Sequence, residues 1–170
     1  MCNPASFVLT KDRAYWSMHT DSHSQIIAEH KLVETIGHHT PATTRACIVK
    51  VEITPPNGDM RAPLDTWEYR IDEEMAGIEL PSWYNAARAE KMARAALANW
   101  HKARIITTTP DNPLKDGTFW IYNATVKAYD NATVKAYDNA TVKAFGNATV
   151  EAFGNATVEA FVNATVEAYD

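Results

Sequence analysis

The chain has 170 residues, of which 46% are hydrophobic, and its formal net charge at pH 7 is −5. No apolar run is long enough to span a bilayer, so the composition predicts a soluble chain with room for one ordinary core. The acidic balance argues against broad electrostatic binding to nucleic acid or to an anionic membrane surface. No secretory signal is visible at the N-terminus, and Cys2 and Cys47 form no disulfide framework, which together predict a cytoplasmic location.

The N-terminal part of the chain predicts a hairpin followed by a helix. Residues 6–10 and 13–16 are rich in β-forming side chains and flank a tight turn, which is typical of a hairpin. Ser22 followed by Gln25 has the spacing of a capping box, in which each residue satisfies a backbone N–H at the start of a helix. We therefore expect a helix to begin directly after Ser22.

The next segments predict strands and a long helix. Residues 46–53 alternate in polarity and predict the best strand of this region, and residues 66–71 predict another. The alanine-rich segment 81–102 predicts an amphipathic helix, and residues 104–108 predict a last strand before a proline-containing linker. Together these elements predict an α+β domain over residues 1–116 that caps the rest of the chain.

Residues 123–170 repeat an eight-residue unit six times without an insertion. The unit reads Asn-Ala-Thr-Val, then Lys or Glu, then Ala, then Tyr or Phe, and most copies end in Asp or Gly. Alternate residues of a strand point to opposite faces, so one face is predicted to carry Ala, Val and Ala, and the other Thr, a charge and a ring. The valines predicted at the repeat core are Val126, Val134, Val142, Val150, Val158 and Val166.

A unit of this length supplies one strand and one corner, and it is too short to bury its own apolar face. Two units therefore predict one flattened coil, and six units predict a short two-sided β-solenoid whose coils stack at about 4.8 Å. The bulky residues 119–122 are interpreted as a plug at one end of the stack, which places the solenoid domain at residues 117–170. The alternative is an antiparallel meander with three-residue hairpin loops, whose apolar face the N-terminal domain would have to cover.

The charged position of the repeat is lysine in the first three copies and glutamate in the last three. The chain reaches Tyr169 without a bulky cap, so the last coil is expected to present unpaired backbone groups to another chain. A two-fold contact between two such coils would bring Glu159 and Glu167 close to their symmetry mates. The sequence therefore predicts a homo-oligomer. The alternative is that the same surface of the last coil binds a different protein.

Cys2 is the most suggestive single residue for chemistry. Removal of Met1 would leave its thiol beside a free α-amine, which serves as a general base for nucleophilic N-terminal residues. His23 and Asp21 would complete a set of thiol, imidazole and carboxylate. In the structural alternative, Cys2 is merely a small residue at a docked terminus, and Asp21 belongs to a helix cap. The histidines lack zinc-binding spacing, so no metal and no cofactor are expected.

The opening residues read Met-Cys-Asn-Pro-Ala-Ser-Phe-Val-Leu-Thr-Lys-Asp-Arg. They are followed by Trp16, the Asp21-Ser22-His23 group, residues 51–56 and the terminal Ala-Thr-Val repeats. In these features the chain resembles a family of uncharacterised phage and prophage proteins, and the likeness covers essentially the whole chain. The resemblance implies a phage or bacterial setting, with the cytoplasm of the host cell as the location. It assigns no activity and adds no catalytic residue.

Two functions from different classes fit these observations. The preferred one is a non-enzymatic scaffold or interaction protein of a phage or bacterium, whose β-solenoid mediates self-association or partner binding. The other is an N-terminal-cysteine hydrolase or transferase, in which Cys2 is the nucleophile and the solenoid is an assembly module.

Overall fold

A computed structural model describes residues 4–36 and 45–169 of the chain. The chain divides into two compact units, Met1–Trp100 and His101–Asp170. The first unit contains an antiparallel sheet with helices, and the second is built from parallel strands. No helix among the described residues is long and apolar enough to cross a membrane.

The first unit has the α+β composition that the sequence predicts. Its strands and α-helices are β1 (Ser6–Leu9), β2 (Ala14–Tyr15), α1 (His23–Glu29), β3 (Thr35–Ile36), β4 (Arg45–Ala46), β5 (Val49–Thr54), β6 (Glu68–Ile71) and most of α2 (Ala86–Arg104), and three short 3-10 helices lie between β5 and α2. The main sheet has the strand order β2-β1-β5-β6, and β3 pairs separately with β4. Val8 aligns with Tyr15 across β1 and β2, which confirms the predicted hairpin.

Helix α1 begins directly after Ser22, as predicted, but without the predicted capping box. Ser22 has an extended backbone, and its side chain makes no hydrogen bond that caps the helix. Its Oγ lies 2.9 Å from Oγ of Ser24, so a neighbouring hydroxyl competes for the side chain. The helix is held by its buried face instead, where Ile26 joins a core cluster with Val8 and Ile48.

Helix α2 is held by a face of small side chains and by contacts of its larger ones. Trp100 packs against the edge of Trp67, with the ring centroids 6.3 Å apart. Arg94 donates hydrogen bonds to the carbonyl oxygens of Leu64 and Trp67, at 3.3 and 3.1 Å. The buried residues recur at helical spacing and are Ala89, Ala93, Ala96, Leu97, Trp100 and Arg104. The apolar spacing in the sequence predicts this face for the same alanines, Leu97 and Trp100, and also for Met92, which is only half-buried.

The second unit is a two-sided β-solenoid, which confirms the predicted fold. Its strands are β7 (Ile105–Ile106), β8 (Leu114–Tyr122), β9 (Thr125–Tyr137), β10 (Thr141–Ala144), β11 (Thr149–Phe153), β12 (Thr157–Ala160) and β13 (Thr165–Tyr169). Residues pair at an offset of sixteen: Thr125 aligns with Thr141 on one side. On the other side Thr133 aligns with Thr149, and the next layers keep the offset. Every strand pair described in this unit is parallel, so the antiparallel meander is wrong.

The parallel stack begins upstream of the repeats. Strand β8 aligns with the second half of β9 at an offset of fifteen residues, so that Thr118 faces Thr133. Phe119 takes the place of a core valine in this layer, and β7 pairs with β8 in turn. Residues 119–122, interpreted as a plug, therefore form part of a strand. The strand expected within residues 104–108 also pairs with the solenoid rather than with the antiparallel sheet.

The corners of the coils place the backbone in the left-handed region. The φ angles lie between 52° and 67° at Asn123, Asp130, Asp138, Gly146, Gly154 and Val162. Glycine, asparagine and aspartate adopt this conformation at low cost, whereas a β-branched side chain strains it. Val162 is therefore the unfavourable corner, and because it is 86% exposed, burial does not compensate for the strain.

We expect Val162→Gly to stabilise the solenoid by about 1 kcal/mol, because glycine removes the left-handed strain. The matched control is Gly154→Val, because both corners have a φ of 62° and a Cβ added at Gly154 meets no atom within 4 Å. That exchange should destabilise the solenoid by a similar amount. Thermal melting measures both effects, and unchanged melting temperatures in both variants would contradict the assignment of strain to the corners.

Candidate functional site at the open end of the solenoid

The inner face of the solenoid is a thin core of small side chains. Val126, Val134, Val142 and Val150 are at most 2% exposed, and the alanines that flank them are buried as well. Small side chains let the two sheets approach closely, and each layer covers the layer before it. Full burial of an inner residue therefore requires a neighbouring layer on both sides along the stack.

Among residues 4–36 and 45–169, the last coil has a neighbouring layer on one side only. β12 and β13 are the edge strands of the sheet at this end, and β7 is an edge strand at the other end, in the part of the chain that the structure describes. Val158 is half-buried and Val166 is 39% exposed, although both hold the position of the buried valines. Ala160 and Ala168 are exposed too. We call residues 157–169 the open end, because they present apolar side chains beside a strand edge with unpaired backbone groups.

Aromatic rings form two ladders along the coils. The first ladder consists of Tyr122, Tyr137, Phe153 and Tyr169, and the second consists of Tyr129, Phe145 and Phe161. Neighbouring rings lie 4.7 to 5.0 Å apart and within 14° of parallel. At the open end, Phe161 and Tyr169 stack on one face only among the described residues, which leaves the other face of each ring for a further ring.

Two of the four aligned charged positions on the outer faces pair opposite charges between layers, whereas Lys127 aligns with Lys143 and Glu151 with Glu167. Nζ of Lys135 donates a hydrogen bond to Glu151 at 2.7 Å, and Nζ of Lys143 donates one to Glu159 at 2.9 Å. Each pair joins residues that are sixteen positions apart and directly in register. The change from lysine to glutamate along the repeats thus places opposite charges in adjacent layers, where they stabilise the stack modestly.

The open end is acidic. Glu167 lies in register with Glu151 rather than with a lysine. Its carboxylate accepts a hydrogen bond of 2.6 Å from the hydroxyl of Tyr169, and this bond raises the pKa of Tyr169. Glu159 lies on β12, and Glu167 and Tyr169 lie on β13. The three residues that the sequence predicts for an end contact therefore all belong to the last coil.

The predicted catalytic set lies partly outside the described residues. Cys2 is not among them, so its role stays a prediction. His23 is buried, with Nε2 at 3.1 Å from the carbonyl oxygen of Val51 and Nδ1 at 3.5 Å from the carboxylate of Asp72. Asp21 is half-buried beside the start of α1. Asp72 was not expected at this ring, because the two residues are far apart in sequence.

Two charged side chains of β5 are also buried and paired. Lys50 forms ion pairs with Glu34 and Glu74, and Arg70 donates a hydrogen bond of 2.8 Å to Glu52. Burial lowers the pKa of Lys50, but the hydrogen bonds to the two carboxylates outweigh it and raise the pKa. These ion pairs link β5 to the segment before it in the chain, through Glu34, and to the segments after it, through Arg70 and Glu74. Within residues 4–36 and 45–169, no group of three or more His, Cys, Asp or Glu side chains is placed to hold a metal ion.

The fold and the open end define a class of protein: an α+β unit followed by a two-sided parallel β-solenoid with sixteen residues in each repeat coil. Comparisons with protein-family models, with curated proteins and with solved structures found no match for this chain.

Proposed function

We propose that the chain is a scaffold or interaction protein whose β-solenoid mediates self-association. The observation that carries this proposal is the exposure of core positions at the open end. Val166 is 39% exposed, whereas Val150, at the same position one coil earlier, is buried. An apolar surface beside an unpaired strand edge is suited to contact with another chain.

The contact that we propose is a two-fold contact between the open ends of two copies. It pairs the edge strands of the copies, so that each copy supplies partners for the backbone groups of the other. Each new backbone hydrogen bond contributes a net ~1 kcal/mol. Glu159 and Glu167 approach their symmetry mates, at a cost on the order of a few tenths of a kcal/mol per close pair. These magnitudes favour pairing, because several hydrogen bonds form and Val166 is covered at the same time.

We further propose a phage or bacterial setting, with the cytoplasm of the host cell as the location. Support comes from the resemblance of residues 1–13 and of the terminal repeats to phage and prophage proteins. The alternative function, an N-terminal-cysteine hydrolase or transferase, depends on Cys2. No feature within residues 4–36 and 45–169 favours this enzyme over the scaffold.

Sedimentation of the full chain across a salt series is expected to show a monomer–dimer equilibrium that shifts toward the dimer as salt rises. Salt screens the repulsion of Glu159 and Glu167 from their symmetry mates, whereas it leaves the apolar contact intact. Sedimentation velocity at protein concentrations well above micromolar measures the shift. A monomer at every salt concentration would rule out the end-to-end contact.

Two variants of neighbouring residues on β13 locate the contact. Val166→Asp and Thr165→Asp each add one negative charge, but Val166 holds an inner position and Thr165 lies exposed on the outer face. The first variant places an unpaired charge in the proposed contact and should abolish the dimer. The second should still dimerise at high salt. Dimers of equal strength in both variants would place the contact elsewhere on the chain.

A further inference from the structure

The open end offers three features to a further layer of the repeat. Between the layers built from the octapeptide repeats, each valine aligns with the valine of the layer before it, and each ring stacks on the preceding ring. At the open end, Val166, Phe161 and Tyr169 are 39%, 43% and 45% exposed. A strand with the repeat's own pattern, added in parallel register, would cover the valine, stack on the rings and pair with the free backbone edge.

The charged position of the repeat distinguishes two kinds of added layer. Where lysine meets glutamate between layers, the side chains hydrogen-bond, at 2.7 Å for Lys135 with Glu151 and 2.9 Å for Lys143 with Glu159. Glu167 instead aligns with Glu151 and accepts a hydrogen bond from the hydroxyl of Tyr169 in its own strand. Glu159 and Glu167 are the charges that the open end presents to the next layer. A layer with lysine at this position would form two opposite-charge pairs, and a layer with glutamate would form two like-charge pairs.

We propose that the open end docks, in trans, a segment of a partner chain that holds two copies of the octapeptide pattern, each with lysine at its fifth position. The segment adds one parallel strand to β12 and one to β13, and its lysines face Glu159 and Glu167. This inference rests on the proposed function, because both use the same surface. It deepens that function by specifying the chemistry of the partner: small apolar side chains inward, and lysine and an aromatic ring outward.

The probe is a sixteen-residue peptide with the sequence of residues 123–138, which holds two lysine-type units. The matched control is the same peptide with glutamate in place of both lysines. Fluorescence anisotropy with the full chain at low salt measures the binding of each peptide. We expect the lysine peptide to bind about tenfold more tightly, and its affinity to fall as salt rises. Equal affinities, tighter binding of the glutamate peptide, or no binding of the lysine peptide would overturn the proposal.

Two variants test the same contact from the side of the protein. Glu167→Lys places a lysine in register with Glu151, so the melting temperature should not fall. The preference between the peptides should shrink to a ratio of about one, because the remaining carboxylate of Glu159 and the new lysine favour opposite peptides. Val166→Asp should abolish binding of both peptides. Binding that persists in that variant, or a preference unchanged by Glu167→Lys, would show that the peptide does not dock at the open end.

Failure of this proposal and failure of the self-association proposal can be told apart by their salt dependence. Self-association brings glutamates together and strengthens with salt, whereas the lysine peptide pairs opposite charges and weakens with salt. A dimer that strengthens with salt but binds neither peptide would keep the self-association and overturn the lysine-type partner. A chain that stays monomeric and binds the lysine peptide would do the reverse.

Discussion

Val142→Asp is expected to open the solenoid, with a loss of stability of more than about 4 kcal/mol. Val142 is fully buried, and it aligns with Val126 in the layer before it and with Val158 in the layer after it. The new carboxylate would lie between sheets lined by alanine and valine side chains, which offer no hydrogen-bond donor. Circular dichroism and thermal melting would show the loss of strand content and the lowered melting temperature.

Two controls separate position from chemistry in this experiment. Thr141→Ser changes the outward-facing neighbour of Val142 and should alter stability by less than about 0.5 kcal/mol. Val166→Asp introduces the same carboxylate at the open end, where water reaches it, and should cost much less than Val142→Asp. Equal losses in all three variants would contradict the assignment of inner and outer faces.

Removal of residues 139–154 is expected to leave a shorter but folded solenoid. The deletion takes out one full coil, so β12 would lie directly on the first half of β9, in the register that β10 now holds. Lys127 would then face Glu159, and Lys135 would face Glu167, so both charged positions would be paired between layers. The melting temperature should fall, because the stability of the stack is the sum of the intrinsic stability of each coil and of the contacts between neighbouring coils.

Removal of residues 139–146 alone should lower the melting temperature almost as much as the longer deletion. It leaves five units, so the last strand has no strand opposite it across the core and buries little apolar surface. Comparison of the two melting curves tests whether the coil is the cooperative unit. A loss only half as large in the shorter deletion would show that single strands contribute independently.

The period of the repeat, its two faces and the class of fold follow from the amino-acid sequence alone. Period-two alternation put Val134 and Val142 inside, because successive side chains of a strand point to opposite faces. The identical copies also predicted stacking, because a unit of eight residues cannot bury its own apolar face. The inner face that the local pattern predicts is the face that the tertiary structure buries, because each repeat packs against another copy of the same repeat.

The direction and the extent of the stack were decided by the tertiary structure. Parallel and antiparallel sheets share the period of two, so the repeat alone is compatible with both a solenoid and a meander. The layer of β8 is hidden in the sequence, because its offset is fifteen rather than sixteen and Phe119 and Trp120 replace valine and lysine. Thr118 and Tyr122 keep the threonine and tyrosine positions of the unit, and they are the signal that reveals this layer.

Contacts between distant segments were likewise beyond local patterns. Arg70 pairs with Glu52 because the antiparallel register brings β5 and β6 together. Asp72 approaches the ring of His23 because that ring also lies against β5, at the carbonyl oxygen of Val51. The open end shows most directly that a local sequence pattern does not determine burial. Val134 and Val166 occupy the same position in nearly identical units, yet the first is fully buried and the second is 39% exposed. Burial depends on the neighbouring layers, and the place of a unit in the stack is a property of the tertiary structure.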